Sequence, residues 1–204
     1  MYSFDYNGVN VKFPEVGKMY ATHFSVGRFY EQVFLEHIAS LNCGGTYLDV
    51  GCNLGNHTVF FAKFTRCARV IAFEPIKRFS VNIKRVIAMN DIASKVFLVE
   101  SAAGEFNGPF KLNFLGESYE VSSVTIDSLD LNDVTCMKID VEGMEAHVIR
   151  GALDTIQRCR PVLFVEANTE NQRLEVEKIL LNIDYHPTGN VFNVSPTYEF
   201  SPVK

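Results

Sequence analysis

A chain of 204 residues that is 47% apolar can bury one core and is short for two full domains. Its net charge of −5 offers no basic surface to a phosphate backbone, so nucleic acid is not expected as a partner. Cys43, Cys52, Cys67, Cys136 and Cys159 form no C-x-x-C pair and are odd in number, which suits reduced thiols in a cytoplasmic protein. The opening MYSFDYNGVNVKF lacks a basic start and a long apolar stretch, and no apolar run approaches about 18 residues, so neither export nor membrane insertion is expected.

In chain order, Phe4 to Phe13 alternates apolar and polar residues around Asn7-Gly8, a strong hairpin signal. A loop is expected from Phe13 to Ser25. Residues 1–26 then form a hairpin and loop, an edge of the core or a lid on its pocket, attached to a single domain whose core runs from 27 to 204. Arg28 to Ser40 carries Tyr30, Val33, Phe34, Leu35 and Ile38 at helical spacing. Tyr47, Leu48 and Val50 read as a first buried strand, Gly51 to Asn56 as a turn, and Thr58 onward as a helix. A second strand, Val70 to Phe73, ends at Glu74, and a helix follows through about Met89 with Val81, Ile83, Val86 and Ile87 as its apolar stripe.

A third strand, Val96 to Val99, leads into the small residues Ser101 to Gly104, which leave room for a flat ring or simply make a tight turn. Phe110 to Phe114 and Val121 to Ile126 read as a second hairpin about Gly116. Cys136 to Ile139 is a fourth strand, Met144 to Arg158 one helix, Val162 to Val165 a fifth strand ending at Glu166, and Asn171 to Leu181 a charged helix. Tyr185 to Phe200 closes as an antiparallel pair. This alternation predicts an α/β fold with a doubly wound parallel sheet, whose ligands sit outside the strand carboxyl ends. Asp49, Glu74, Ser101, Asp140 and Glu166 all fall at those ends.

The turn carries the first chemistry. Gly51 and Gly55 permit close backbone approach, and the helix N-terminus behind them offers unpaired N–H groups, which suits a nucleotide-like ligand. Dinucleotide sites have G-x-G-x-x-G facing a pyrophosphate, whereas here the sequence is G-C-N-L-G with Asp49 just before it. A carboxylate there repels pyrophosphate and favours a cationic ligand, so S-adenosylmethionine is expected in place of NAD. Glu74 strengthens this, because an acid about 20 residues beyond such a turn accepts hydrogen bonds from both ribose hydroxyls. Cys52 reads as a small gap-filler rather than a nucleophile.

Asp140, Glu142 and Glu145 form an acidic cluster after the fourth strand. Glu145 shares the arc of Val148, Ile149, Ala152 and Ile156, so its carboxylate aims inward and needs a partner: amides at the helix start, Lys138 or a ligand. Glu142 and Glu145, three apart, are expected on one helical face, where they would favour the dipole. Within the cluster one acid, Asp140 or Glu142, is the candidate general base for a hydroxyl acceptor. Nothing in it sets an octahedral ligand set, so no metal is expected. His57 would either reach the pocket mouth or cap its helix, the second being favoured, and His147 is expected to face solvent.

Together these segments resemble the FkbM family of S-adenosylmethionine-dependent methyltransferases over about Gly27 to Phe192. The resemblance is carried by Asp49-Val50-Gly51-Cys52-Asn53-Leu54-Gly55-Asn56-His57-Thr58, Phe73-Glu74-Pro75, Thr125-Ile126-Asp127-Ser128-Leu129 and Lys138-Ile139-Asp140-Val141-Glu142-Gly143-x-Glu145, with Arg150-Gly151-Ala152, Arg160-Pro161 and Glu166. Cys52 stands where the family more often has alanine. The resemblance implies a class I methyltransferase fold of seven strands with the last antiparallel. It also implies O-methylation of a hydroxyl on a sugar, polyketide or other natural product. The expected cofactor-binding set is Asp49, Gly51, Asn53, Gly55, Asn56, Glu74, Ser101, Ala102 and Asp140, with Asp140 and Glu142 catalytic. An RNA ribose O-methyltransferase and a non-catalytic cofactor-fold module are the alternatives.

Overall fold

The computed structural model describes residues 1–203. Its centre is a seven-stranded sheet in the order β11-β12-β10-β9-β3-β4-β5. The strands are β3 (Thr46–Val50), β4 (Arg69–Phe73), β5 (Val96–Val99), β9 (Val134–Ile139), β10 (Val162–Glu166), β11 (Tyr185–Phe192) and β12 (Thr197–Pro202). β12 runs antiparallel to both its neighbours, and the remaining pairings are parallel. The chain therefore has the doubly wound sheet that its alternating pattern predicts, with the last strand reversed. Helices cover both faces, so β3 is buried at every position, as a central parallel strand must be.

Alternation along β3 divides the core. Tyr47 joins the cluster with α2 (Gln32–Ser40), α3 (Asn56–Phe64) and α4 (Lys77–Met89). Leu48 and Val50 join the opposite one with α5 (Glu145–Arg150), α6 (Leu153–Cys159) and α7 (Glu170–Leu181). Complete burial of each large side chain, Phe60 or Phe73 for instance, contributes roughly 1.5–3 kcal/mol.

The hairpin of β1 (Tyr2–Tyr6) and β2 (Val9–Phe13) turns at Asn7 and Gly8, both in the left-handed region that a two-residue turn demands. It docks on the α3/α4 side, where the Asn90 side chain donates to the Lys12 carbonyl (2.7 Å) and accepts from its amide (3.0 Å). Its residues do not line the cavity described below. The expected loop from Phe13 to Ser25 contains a helix, α1 (Lys18–Phe24). The Gly17 N-cap supplies no side-chain bond, so packing holds the helix: Phe24 stacks on Phe13 with centroids 4.3 Å apart.

Other boundaries shift for definable reasons. The first predicted helix begins at Gln32 rather than Arg28, because Glu31 adopts φ 57°, and Val33 ends 76% exposed while Phe34, Leu35 and Ile38 are buried. On α4 Val81 faces out, and Ile83, Val86 and Ile87 form the stripe. The single helix expected over Met144–Arg158 is two helices. Gly151 presses on the backbone of Gly104, where an added Cβ would lie 1.8 Å from the carbonyl oxygen. The Asp127 carboxylate then accepts from the amides of Asp154 (3.2 Å) and Thr155 (2.8 Å), capping a fresh helix start. The second hairpin, β7 (Gly108–Phe114) and β8 (Glu117–Val124), is joined by β6 (Ala102–Ala103) in a small separate sheet. Among the described residues all five cysteines are free, and no helix is long and apolar enough to cross a membrane.

Candidate active site

A cavity of about 360 Å³ opens at the carboxyl ends of β3, β4 and β9, within the size range of small-ligand pockets. Gly51, Cys52 and Asn53 of the turn, Glu74 after β4, Ala102 after β5, Lys138 near the end of β9, and Asp140 and Glu142 after it all border it. The opposite wall is aromatic: Phe79 of α4, Phe106, and Phe110 and Phe114 of β7. Tyr20 of α1 and Tyr30 close one end, with ring centroids 5.0 Å apart.

The glycines serve backbone needs. Gly51 has φ 79°, and a Cβ there would meet the Asp140 carbonyl oxygen at 1.8 Å, so only glycine lets β9 close against the turn. Gly55, at φ 86°, starts α3 and faces Val86 and Ile83 of α4 instead of the cavity. Asn56 is also turned away. Its side-chain amide accepts from the Tyr30 N–H (3.2 Å) and donates to the Tyr30 carbonyl (3.0 Å). Ser101 lies outside the cavity lining, next to Ala102 within it.

Asp49 is wholly buried and does not border the cavity. Its Oδ2 accepts from Thr58 Oγ1 at 2.5 Å. Its Oδ1 lies 3.5 Å from Lys138 Nζ without a hydrogen bond. The expectation that Asp49 would itself face a cationic ligand gives way to a different geometry: the cation facing Asp49 belongs to the protein. Asp49 and Lys138 are register partners on adjacent parallel strands, so their side chains share one face.

Lys138 also donates to the Gly51 carbonyl (3.0 Å) and pairs with Asp140 at 3.2 Å. Burial works to lower its pKa, but Asp140 and Asp49 together drive it above the ordinary lysine range. For Asp140 burial pushes upward, and Lys138 together with Glu166 and His57 more than offsets it, holding the carboxyl below its usual value. Glu166, at the end of β10, is pushed up, first by burial and then by the charge of Asp140.

Glu74 is 5% exposed, and its two oxygens accept from the amides of Ile76 (2.8 Å) and Asn53 (3.1 Å). Burial outweighs those bonds and raises its pKa to about 7. Glu145 is buried as expected, and its partners are amides: Val141 N (3.0 Å) and Gly143 N (3.1 Å). Glu142 has φ 56° and precedes the helix, so the two do not share a helical face; it stays exposed at the cavity edge. Burial of the Cys52 thiol raises its pKa well above the ordinary value, which disfavours a nucleophilic thiolate and fits a gap-filler. Among the described residues no three His, Cys, Asp or Glu side chains gather as a metal site.

His57 does not cap α3, whose N-cap Gly55 makes no side-chain bond. Its ring lines the cavity, and Nε2 meets Glu31 Oε2 at 2.9 Å. His147 is half-exposed, at the opposite side, and pairs with Glu105 at 3.1 Å. Sequence reasoning gave no site role to Tyr20, Tyr30 or the aromatic wall. Tyr20 stood in an apparent loop and Tyr30 in an apparent helix stripe. The period of Phe110-x-Leu112-x-Phe114 was the signal for one aromatic face of β7.

Residues 49–187 match the model of the methyltransferase FkbM domain. The chain belongs to that family. Methyltransferase FkbM from Methylobacillus flagellatus KT superposes on this FkbM chain with TM-score 0.63 at 21% identity, covering 76% of this chain and 43% of that one. Precorrin-6y C5,15-methyltransferase from Geobacter metallireducens GS-15 gives TM-score 0.61 at 16% identity, covering 94% and 95%. At such identities these structures speak for the class I methyltransferase fold. Protein arginine N-methyltransferase 2 of Xenopus laevis is 35% identical over 86 residues, 42% of this chain. The match spans 19% of that curated relative's length.

Proposed function

We propose that this FkbM-family chain is an S-adenosylmethionine-dependent methyltransferase acting in the cytoplasm on a hydroxyl of a small acceptor: a sugar, polyketide or other natural product. The observation that carries the reading is the pair of strand-end acids on either side of β3, Glu74 held by amides and Asp140 held by Lys138, in one cavity of ligand size.

The residues fit the cofactor. Each Glu74 oxygen accepts one amide and keeps a lone pair for a ribose hydroxyl. Glu74 and Asn53 would hold the ribose, Ile76, Phe79 and Ala102 would bed the adenine, and Gly51 and Asp140 would border the methionine portion. When bound, S-adenosylmethionine supplies a methyl group on a positively charged sulfur, already activated for transfer. The protein then has to align donor and acceptor, exclude water and accept one proton. Gly55, Asn56 and Asp49 would act from behind, by shaping the turn and holding Tyr30 and Lys138. The free thiols are compatible with a reducing compartment.

Calorimetric titration with S-adenosylmethionine, S-adenosylhomocysteine and NAD, on wild type and Glu74→Ala, tests the cofactor. Saturable binding of the first two, weakened in the variant, is expected; binding of NAD alone would overturn the reading. Product formation with any member of a hydroxylated acceptor panel excludes a non-catalytic module. The net charge of −5 weighs against an RNA acceptor, and an RNA gel shift at moderate salt would reverse that judgement.

A further inference from the structure

Of the acids nearest the expected reacting centre, Asp140 is held ionised with low basicity by Lys138, and Glu142, though burial and Asp140 raise its pKa, is exposed at the cavity edge and has no hydrogen-bond partner among the described residues to orient it. A third group faces the same cavity. The His57 ring is 6% exposed as a residue and is held in orientation by Phe34 (centroids 5.9 Å) and Phe61 (6.3 Å). Its Nε2 is committed to Glu31, whose carboxylate is itself mostly buried. Its Nδ1 has no hydrogen-bond partner among the described residues, and the residue borders the cavity, so Nδ1 is the ring nitrogen left for a ligand.

The backbone around the pair is arranged for it. Glu31 is a non-glycine residue in the left-handed region, φ 57°, at the N-cap of α2. Such strain costs about 1–3 kcal/mol and persists where surrounding contacts impose it. Here the contacts are two consecutive clasps: Asn56 holds both main-chain polar groups of Tyr30, and His57 holds Glu31. Glu31 pairs with His57 and Asp140 lies within its electrostatic reach, while Tyr20 and Tyr30 from the amino-terminal segment and Lys138 and Glu142 from the β9 end border the same cavity.

We infer that His57 is the general base that deprotonates the acceptor hydroxyl, with Glu31 as the residue that positions it and balances its charge. The inference rests on the methyltransferase reading above. His57 Nδ1 takes the hydroxyl proton as the oxygen lone pair forms the bond to the methyl carbon. The carbon–sulfur bond breaks, its electron pair stays on sulfur, and the sulfur loses its positive charge. The resulting imidazolium is paired with the Glu31 carboxylate and returns its proton to water at the cavity mouth. Tyr20 and Tyr30 flank this approach and offer ring faces to an acceptor that carries apolar surface.

The first test needs no acceptor. Long-range proton–nitrogen correlation on ¹⁵N-labelled protein saturated with S-adenosylhomocysteine, with His57→Gln for assignment, reads the ring. At about pH 8 the Nε2–H form with unprotonated Nδ1 is expected; an Nδ1–H form, or a ring still doubly protonated near pH 9, overturns the inference. On an acceptor from the hydroxyl panel, His57→Gln should lower kcat ~10²–10⁴-fold with S-adenosylhomocysteine affinity within about threefold. Glu31→Gln should lower kcat about tenfold with the acceptor KM within about twofold, and Glu31→Asp should recover part of that loss, a split that a purely structural role would not give. Turnover by His57→Gln within twofold of wild type also overturns the inference. If S-adenosylhomocysteine fails to bind wild type, the methyltransferase reading falls, and the ring-nitrogen measurement on ligand-free protein still reports the His57 state on its own.

Discussion

Glu74 and Asp140 end parallel strands that flank β3, and both line one cavity, yet their surroundings drive them apart. Glu74 is more deeply buried and has main-chain amides for partners, so its carboxyl rises to about 7. Asp140 is partly exposed and has a buried lysine beside it, so its carboxyl falls. Amide dipoles offset part of a desolvation penalty, whereas a full charge at 3.2 Å, aided by Glu166 and His57, exceeds it. The difference assigns work: an acid that can exchange its proton near neutrality suits a ligand that donates hydrogen bonds, and a permanently charged one suits a place where positive charge must be balanced.

The comparison breaks hardest at Lys138. Lys138→Met strands Asp49 and Asp140 without their cation and should cost about 3–5 kcal/mol, read from denaturant midpoints; a loss below about 1 kcal/mol would mean that Asp49 is already compensated by Thr58. Glu74→Gln comes next. It replaces a charged acceptor with a neutral one and should weaken S-adenosylhomocysteine binding ~10–100-fold in calorimetry.

The pH dependence of Glu74 sharpens the contrast. An acid raised from 4.5 to about 7 takes up a proton on folding, so its contribution to stability is complete below about 4.5 and is lost as pH rises through about 7. Thermal melts from about pH 5 to 8 should show that decline in wild type and a flatter profile in Glu74→Gln. Ligand hydroxyls favour the ionised form, so wild-type affinity should fall below about pH 7 by up to about tenfold per unit, with proton release on binding. Asp140 predicts the reverse sign: its contribution is present above the ordinary carboxyl range and is lost on acidification below it.

Thr58→Val removes the hydrogen bond from Thr58 to the Asp49 carboxylate and should cost about 1 kcal/mol while pulling Asp49 toward Lys138. Salt should act least. Between about 0.05 and 0.5 M the buried Lys138 pairs should hardly change, while exposed pairs such as Arg173–Glu170 are screened.

Much of the frame was legible. The strands ending at Glu74, Asp140 and Glu166, and the glycine turn, are written in short-range patterns: apolar runs, Asn-Gly and glycine placement, and strand–helix alternation. The helix over Lys18–Phe24 and the break at Gly151 were not, because stacking on Phe13 and contact with Gly104 create them, and those partners are distant along the chain. His57 shows the same limit, since its role depends on Glu31, 26 positions away.

By itself, the sequence determined which strands exist, which acids stand at their ends and which family the chain resembles, because local periodicity and turn chemistry are carried by adjacent residues. Tertiary structure decided what those acids do. Strand register set Lys138 against Asp49, burial raised Glu74, and the clasp of Asn56 and His57 on Tyr30 and Glu31 turned an imidazole to the cavity. Desolvation and charge pairing depend on distance in space, which spacing along the chain does not contain.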